Sequence, residues 1–162
     1  MSDTSAQGAP MNTEDVAAIE RLITRLLLRY AHAVDRRDYE AVARCYWDDA
    51  HDEHGSFDGD ALAYVAWLRV VLPKVSVSSH QFTNILVDVS ACDAATSETY
   101  CLNVSVFANR GGEASEGESQ RQTTALLRYL DRFQCRDGEW RIADRRMVTD
   151  WSRVEMTTPM VR

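Results

Sequence analysis

The spacing of apolar residues changes halfway along this chain, and this change constrains the fold more than any other feature. Over 13–35 apolar residues recur every three or four positions, which predicts a long amphipathic helix. Helical spacing also predicts a short helix over 39–46 and a third over 60–72, which Pro73 ends. From Val77 onward the spacing becomes two, as in β-strands.

Four long strands are predicted in the second half of the chain, over 77–89, 99–108, 123–133 and 140–151. A polar, Gly-rich loop over 111–118 separates the second strand from the third, and a tight turn at 136–138 precedes the fourth. Helices followed by long antiparallel strands are typical of an α+β domain, in which a curved sheet wraps round a helix and leaves a pocket.

Alternation within each strand predicts which side chains share a face. The first strand should carry Ile85, Val87 and Val89 on one face and His80, Phe82 and Asn84 on the other. The second strand should carry Tyr100, Leu102, Val104 and Val106 on a common face, and the third should present Leu127, Tyr129, Asp131 and Phe133 together.

Length and charge exclude several classes of protein. The 162 residues suit one domain, predicted over 13–155, with a flexible N-terminus over 1–12 and a tail over 156–162. The net charge of −7 disfavours nucleic acid as a partner. No apolar run approaches the roughly 18 residues that span a membrane, and no secretion signal is evident, so we expect a cytoplasmic protein.

An acidic residue and a histidine are the best candidates for chemistry. Asp35 closes the first helix although a carboxylate is unfavourable at the negative end of the helix dipole, and His80 opens a strand. An Asp-supported His could move a proton inside an apolar cavity. The alternatives are a buried histidine without a role and an Asp35 that pairs with Arg36 or Arg37. Tyr30 is either a packed aromatic or an oxyanion donor or general acid.

A polar stretch over 51–54 contains two histidines and two carboxylates, which are groups that suit divalent metals. The four residues alternate on a short extended piece, and only His32 and His80 remain to complete a shell. We therefore predict no metal site and no cofactor, and interpret His54 as part of a pocket rim.

Four segments make the chain similar to a known family: Tyr46-Trp-Asp-Asp-Ala50, Ser79-His-Gln-Phe-Thr-Asn84, Tyr129-Leu-Asp-Arg-Phe133 and Arg136-Asp-Gly-Glu-Trp-Arg-Ile142. With the order of helices and strands, they resemble the SnoaL-like branch of the nuclear transport factor 2 superfamily. This branch includes bile acid 7α-dehydratase, scytalone dehydratase and hexachlorocyclohexane dehydrochlorinase. The resemblance covers nearly the whole chain after residue 12 and implies a cone-shaped α+β barrel that encloses a pocket.

The resemblance also implies roles for four residues. Asp35 occupies the position of the dyad carboxylate, His80 that of the general base, and Tyr30 that of a catalytic tyrosine. Arg145 falls where the dehydrochlorinase has an arginine that helps the leaving group. Asp52 stands where the dehydrochlorinase has a tryptophan. This polar replacement disfavours a chlorinated hydrocarbon and favours an oxygenated polycyclic or polyketide-like substrate.

The sequence thus predicts a cofactor-independent lyase of dehydratase type, or an isomerase, that acts on a hydrophobic small molecule. The alternative is a non-catalytic binding module, or a protein like the small subunit of ring-hydroxylating dioxygenases. A homodimer or a higher homo-oligomer is expected through the outer face of the sheet. The predicted substrate-binding residues are Trp47, His54, Phe82, Asn84, Tyr100, Tyr129 and Trp151.

Overall fold

The computed structural model describes residues 11–107 and 119–158. The predicted loop over 111–118 lies outside these residues, as do positions 1–10 of the predicted N-terminal segment and 159–162 of the tail. The elements are α1 Thr13–Arg36, α2 Tyr39–Ala43, β1 Tyr46–His54, β2 Phe57–Asp60, α3 Ala61–Val71, a 3-10 turn Leu72–Lys74, β3 Val75–Ala91, β4 Ala94–Phe107, β5 Gln120–Arg136 and β6 Glu139–Thr157.

The six strands form one sheet in the order β2-β1-β6-β5-β4-β3. All neighbouring strands are antiparallel except β1 and β6, which pair in parallel. Helix α1 packs on β3 and β6, and α3 packs on β1 and β2. The predicted α+β fold, with helices against a curved and mainly antiparallel sheet, is confirmed, and the sheet is open rather than closed.

Helix α1 carries two of the residues predicted for the site, and its start and end fix their positions. The Asn12 side chain accepts a hydrogen bond from the Asp15 amide and so caps the helix at its start. Its buried face includes Ile23, Leu27 and Tyr30, which point into the sheet. The helix ends where Arg37 adopts the left-handed conformation with φ 57°. Asp35 therefore lies in the last helical turn.

The predicted second helix is too long. Helix α2 ends at Ala43, and Tyr46 is the first residue of β1 rather than a helical residue. Two contacts explain the early end: β1 pairs with β6 from Tyr46 onward, and the Ile142 amide donates to the Cys45 carbonyl. The strand places Tyr46 and Asp52 in the interior, where both are at most 1% exposed.

A β-bulge in β3 changes the predicted faces of that strand. Asn84 has a positive φ of 45°, and the pairing with β4 shifts between Thr83 and Ile85. One extra residue reverses the alternation, so Phe82 before the bulge and Ile85 after it both pack against the core. The prediction that these two residues lie on opposite faces is wrong, and Asn84 itself is exposed.

Strand β4 points its more polar residues inward. Thr99, Cys101 and Asn103 are buried, whereas Leu102 is 37% exposed and Tyr100 lies on its side of the strand. Tyr100, predicted to bind the substrate, therefore lies on the less buried face with Leu102. The predicted face of β5 is confirmed, because its four inward residues are all buried: Leu127, Tyr129, Asp131 and Phe133.

Candidate functional site

The end of α1 and the start of β3 bring Asp35 and His80 into contact. Asp35 Oδ1 lies 2.7 Å from His80 Nδ1, and Asp35 Oδ2 accepts a hydrogen bond of 2.9 Å from the His80 backbone amide. The Ser78 hydroxyl donates to Asp35 Oδ1 at 2.7 Å. The two side chains are 24% and 11% exposed. Three hydrogen bonds therefore hold the carboxylate against the imidazole on the mostly buried side of β3.

This geometry selects one form of the His80 ring. An ionised carboxylate only accepts hydrogen bonds, so Nδ1 of His80 must carry the proton that it donates to Asp35. In the neutral ring Nε2 is then unprotonated and can accept a proton. Asp35 would stabilise the imidazolium that results, which is the arrangement of a general base supported by a carboxylate.

Asp35 remains ionised near neutral pH. Burial raises the pKa of its carboxyl group, but the hydrogen bonds from the His80 side chain and amide, the charge of His80 and the bond from Ser78 together lower it. The net effect is a pKa below the ordinary value. The contact with His80 thus stabilises the folded protein as well as the form of the His80 ring that carries its proton on Nδ1.

We expect Asp35→Asn to lower the free energy of unfolding by about 1.5–3 kcal/mol at pH 7, the range for a hydrogen bond to a charged group. Because the native pKa is depressed, this stabilisation is complete above the unfolded pKa of about 4 and is lost as the pH falls through the native pKa. Urea unfolding at pH 7 and pH 3 measures it. Asp88→Asn, at an exposed position of β3, is the control. If Asp35→Asn lowered the free energy of unfolding equally at both pH values, this account would be contradicted.

Tyr30 lies at the centre of the interior. Its ring stacks on Phe82 at 6.4 Å between centroids and meets Tyr129 edge-on at 6.2 Å. Its hydroxyl lies 2.6 Å from the hydroxyl of Tyr64. Burial raises the pKa of Tyr30 to about 12, against the opposing charge of Arg145. Tyr30 is therefore protonated at neutral pH and able to donate a hydrogen bond.

A row of charged residues crosses the inner face below Tyr30. Asp52 on β1, Arg145 on β6 and Asp131 on β5 are paired neighbours in the sheet, and all three side chains are fully buried. Arg145 donates from Nε and Nη2 to the two carboxylate oxygens of Asp131 at 2.7 and 2.8 Å. Its Nη1 donates to the Tyr46 hydroxyl at 3.3 Å, and that hydroxyl donates to Asp52 at 2.6 Å. The charges are thus joined into one hydrogen-bonded network.

Arg145 and His80 occupy different levels of the inner face. His80 pairs with Asn103, which pairs with Ala125 on β5, whereas Arg145 pairs with Asp131 on the same strand. Six residues of β5 separate these levels, or about 20 Å along the strand. The guanidinium carbon also lies 4.0 Å from the Tyr30 ring centre and 4.6 Å from that of Tyr129. Arg145 lies in the interior, beneath the tyrosines.

Three of the predicted substrate-binding residues line this interior. Phe82 and Tyr129 contact Tyr30, and the His54 ring lies 5.1 Å from Tyr64 and 5.6 Å from Tyr129. Sequence reasoning missed Tyr64 because it belongs to α3, for which no site residue was considered. Its helical spacing from Leu68, one turn later, is the signal that places both on the buried face.

The structure does not bring the other four predicted substrate-binding residues to this interior. Asn84 is the bulge residue and Tyr100 lies on the opposite face of β4. Trp151, which follows the register shift in β6, is 50% exposed. Trp47 lies between the guanidinium groups of Arg136 and Arg141, and its indole donates to a backbone carbonyl. They are not part of the proposed site.

Several buried polar atoms of the interior have no hydrogen-bond partner among the described residues. They are Asp52 Oδ1, His54 Nδ1, Ser97 Oγ, Thr99 Oγ1 and the Tyr129 hydroxyl. Asp52 Oδ1 and His54 Nδ1 lie 3.4 Å apart without hydrogen-bond geometry. Such atoms could bind polar groups of a ligand, since an unpaired buried polar atom is costly. Asp52, noted from the sequence only as a polar replacement, is fully buried.

Residues 11–107 and 119–158 contain neither a metal-binding cluster nor a membrane-spanning helix. Within these ranges no group of three or more His, Cys, Asp or Glu side chains converges to hold a metal ion. Within the same ranges no helix has both the length and the apolar character that a membrane crossing requires.

Comparisons with known proteins agree with this architecture. The family model of the SnoaL-like domain matches residues 14–146. An uncharacterized protein of Mycobacterium tuberculosis is 32% identical over 126 residues, which cover 76% of this chain and 80% of that protein. A candidate scytalone dehydratase from Novosphingobium aromaticivorans superimposes with a TM-score of 0.75 at 20% identity, covering 93% of this chain and 94% of the other. A hexachlorocyclohexane dehydrochlorinase, LinA-type3 from Novosphingobium barchaimii, gives 0.74 at 20% identity, covering 93% and 99%.

Proposed function

Since the chain belongs to the SnoaL-like domain family of the nuclear transport factor 2 superfamily, we propose that it is a cofactor-independent lyase with His80 as general base. Its substrate is a hydrophobic, oxygenated small molecule, and the reaction is the elimination of water. The observation that carries this proposal is the contact of 2.7 Å between Asp35 and His80, at a place where both side chains are mostly buried. Asp35 acts as a positioning residue.

In the proposed reaction His80 Nε2 removes a proton from the carbon next to a carbonyl group of the substrate. The electrons of that C–H bond form the new C=C bond, the neighbouring C–O bond breaks, and the hydroxyl group leaves as water after it gains a proton. Asp35 stabilises the imidazolium formed in the first step, and His80 then returns its proton to the leaving hydroxyl. No external oxidant or reductant is required.

We assign Tyr30 the role of hydrogen-bond donor to the carbonyl oxygen, on which negative charge develops. Two observations support this role: the Tyr30 hydroxyl is held by Tyr64, and its raised pKa keeps it protonated. We assign Arg145 an indirect role. Its charge lies beneath the Tyr30 ring and favours negative charge in this region, whereas its hydrogen bonds are made to Asp131 and Tyr46.

The substrate class follows from the interior and from the neighbours. The two structural neighbours described above are named as a dehydratase and a dehydrochlorinase, and both names denote elimination. In this chain the interior combines aromatic rings with unpaired polar atoms such as Asp52 Oδ1 and the Tyr129 hydroxyl. An oxygenated substrate can satisfy those atoms, whereas a chlorinated hydrocarbon would leave them unpaired. We therefore favour dehydration over dehydrochlorination.

Exchange of substrate hydrogen in heavy water is the direct test. A panel of cyclic and polycyclic β-hydroxy ketones is incubated with the protein in D2O, and deuterium incorporation and loss of water are followed by NMR and mass spectrometry. With the wild type we expect deuterium incorporation and loss of water for at least one compound class. With His80→Ala we expect neither deuterium incorporation nor loss of water, because the variant lacks the Nε2 base. Partial exchange without loss of water would indicate the isomerase variant of the mechanism.

His32→Ala is the matched control, since His32 is an exposed histidine of α1 that contacts Arg36. It should retain the wild-type rate. Retained turnover in His80→Ala would exclude the proposed base. A compound that stabilises the protein against heat but shows neither exchange nor loss of water would instead favour the non-catalytic binding module.

The proposal includes a cytoplasmic homodimer formed through the outer face of the sheet. Leu102, Leu126 and Trp151 are paired neighbours on three adjacent strands. Leu102 and Trp151 are 37% and 50% exposed. An exposed apolar row on a sheet face supports an interface between two copies, because association removes it from water.

A further inference from the structure

A concave region lies beside α1, outside the site formed by the dyad. It is an open groove of about 1150 Å³ between α1, α2 and the turn that joins β5 to β6. Neither Asp35 nor His80 lines it. Leu26, Ala33 and Cys45 contribute apolar surface to its floor, and Trp140 stands on the β6 side.

Arginines dominate the edge of this groove. Arg25, Arg29 and Arg36 lie on one face of α1, and Arg44 follows α2. The three helical arginines, together with His32, recur at spacings of four, three and four residues, which sets them in a row about 16 Å long. All four arginines are exposed. A row of positive charge is unusual on a chain whose net charge is −7.

These arginines have no acidic partners in the part of the chain that the structure describes. Eight other arginines there lie within 4.0 Å of a carboxylate. The four groove arginines have no such ion pair, and Arg36 instead donates to His32 at 2.7 Å. The sequence places positive charge here without the neutralisation that it provides for eight of the fifteen arginines in the described ranges.

The acidic residues of the groove are already engaged. The Asp38 side chain accepts from the Ala41 amide and caps α2, and Glu139 pairs with Arg141 at 2.7 Å. The positive charge of the groove also affects the pKa of the Cys45 thiol. Burial raises the pKa of its thiol to about 11, while the charges of Arg145, Arg29 and Arg44 oppose the rise. The net field in the groove therefore favours anions.

We propose that this groove binds a phosphate-bearing amphiphile, with the phosphate on the row formed by Arg25, Arg29 and Arg36 and the apolar body on Leu26 and Trp140. A phosphate suits this row because it carries up to two negative charges and three strong acceptor oxygens, which match the forked donors of arginine. The apolar floor adds affinity for a chain or ring attached to the phosphate. The site is independent of the proposed lyase chemistry.

Calorimetric titration with dodecyl phosphate, below its micelle concentration, tests the proposal. We expect wild-type binding that weakens with added salt, because exposed charges are screened. The double variant Arg25→Gln/Arg29→Gln should bind at least tenfold more weakly, since two charged donors are lost. Binding should also change the fluorescence of Trp140, and Trp140→Phe should remove that change.

Arg21→Gln is the matched control, because Arg21 is an exposed arginine of the same helix that does not line the groove. It should bind like the wild type, and so should His80→Ala, which separates this site from the dyad. Vesicles with phosphatidic acid, compared with phosphatidylcholine vesicles, distinguish a lipid headgroup from a free ligand as the source of the phosphate. Failure of both dodecyl phosphate and phosphatidic acid vesicles to bind would overturn the proposal, as would equal binding by the double variant and Arg21→Gln.

Discussion

Replacing Arg145 with methionine should lower the free energy of unfolding by about 3–5 kcal/mol, which is the cost of removing one partner of a buried ion pair. The change removes both hydrogen bonds to Asp131 and leaves that carboxylate without its cation in a fully buried place. For a domain of this size we expect the melting temperature to fall by roughly 10 °C. Urea and thermal unfolding followed by circular dichroism provide the measurement.

The pH dependence of the variant should identify the cause. Burial raises the pKa of Asp131, and in the native protein Arg145 opposes this rise. Without Arg145 the native pKa lies further above the unfolded value, so the native state binds a proton more readily than the unfolded state does. The loss of unfolding free energy in Arg145→Met, relative to the wild type, should therefore be smaller at pH 5 than at pH 8.

Two further variants separate the ion pair from general packing. Arg146→Met alters the neighbouring arginine, which is exposed and 3.3 Å from Glu53, and should cost less than about 1 kcal/mol. The double variant Arg145→Met/Asp131→Leu should recover most of the stability, since apolar residues often replace a buried ion pair without loss. A double variant as unstable as Arg145→Met alone would show that the unpaired carboxylate is not the cause.

The residues that could be predicted from the sequence are those with a strong local signal. The amphipathic pattern of α1 predicted a helix to Asp35, one residue short of its observed end at Arg36. Asp35 at the unfavourable end of that helix, with His80 in a recognisable segment, predicted a pair that the structure brings to 2.7 Å. Alternation in β5 predicted that Asp131 shares a face with Tyr129 and Phe133, and all three are buried. The pairing of Asp131 with Arg145 was not predicted, because the resemblance assigns Arg145 to the leaving group.

The faces of β3, and the placing of Tyr100 of β4 among the substrate-binding residues, were predicted wrongly for two physical reasons. A bulge depends on one residue with an unusual backbone angle, and Asn84 gives only a weak sign of it. In β4 the inward face carries Thr99 and Asn103 while Leu102 faces outward, because the interior there adjoins a polar site and the outer face is apolar. Hydrophobic alternation assumes an apolar interior and fails where a strand lines a site.

Turnover should fall by about a thousandfold or more in Asp35→Asn, with little change in KM, once a substrate has been found. The asparagine amide has two placements. If its NH2 group faces His80 Nδ1, that nitrogen must accept, the ring proton moves to Nε2, and the base is lost. If the NH2 group faces the His80 backbone amide instead, two donors oppose each other where Asp35 Oδ2 now accepts at 2.9 Å. Neither placement preserves both hydrogen bonds.

A merely structural role for Asp35 makes different predictions. Ser78→Ala removes one hydrogen bond to the carboxylate but leaves the bond to His80 Nδ1, so its rate should fall by less than about tenfold. Asp35→Glu retains a carboxylate and should recover part of the rate that Asp35→Asn loses. NMR of the His80 ring nitrogens should show Nδ1 protonated in the wild type and Nε2 protonated in Asp35→Asn. If Asp35→Asn lost its turnover while the His80 ring kept its proton on Nδ1, the positioning role would be contradicted. The base would then be intact, and Asp35 would not determine the protonated form of the ring.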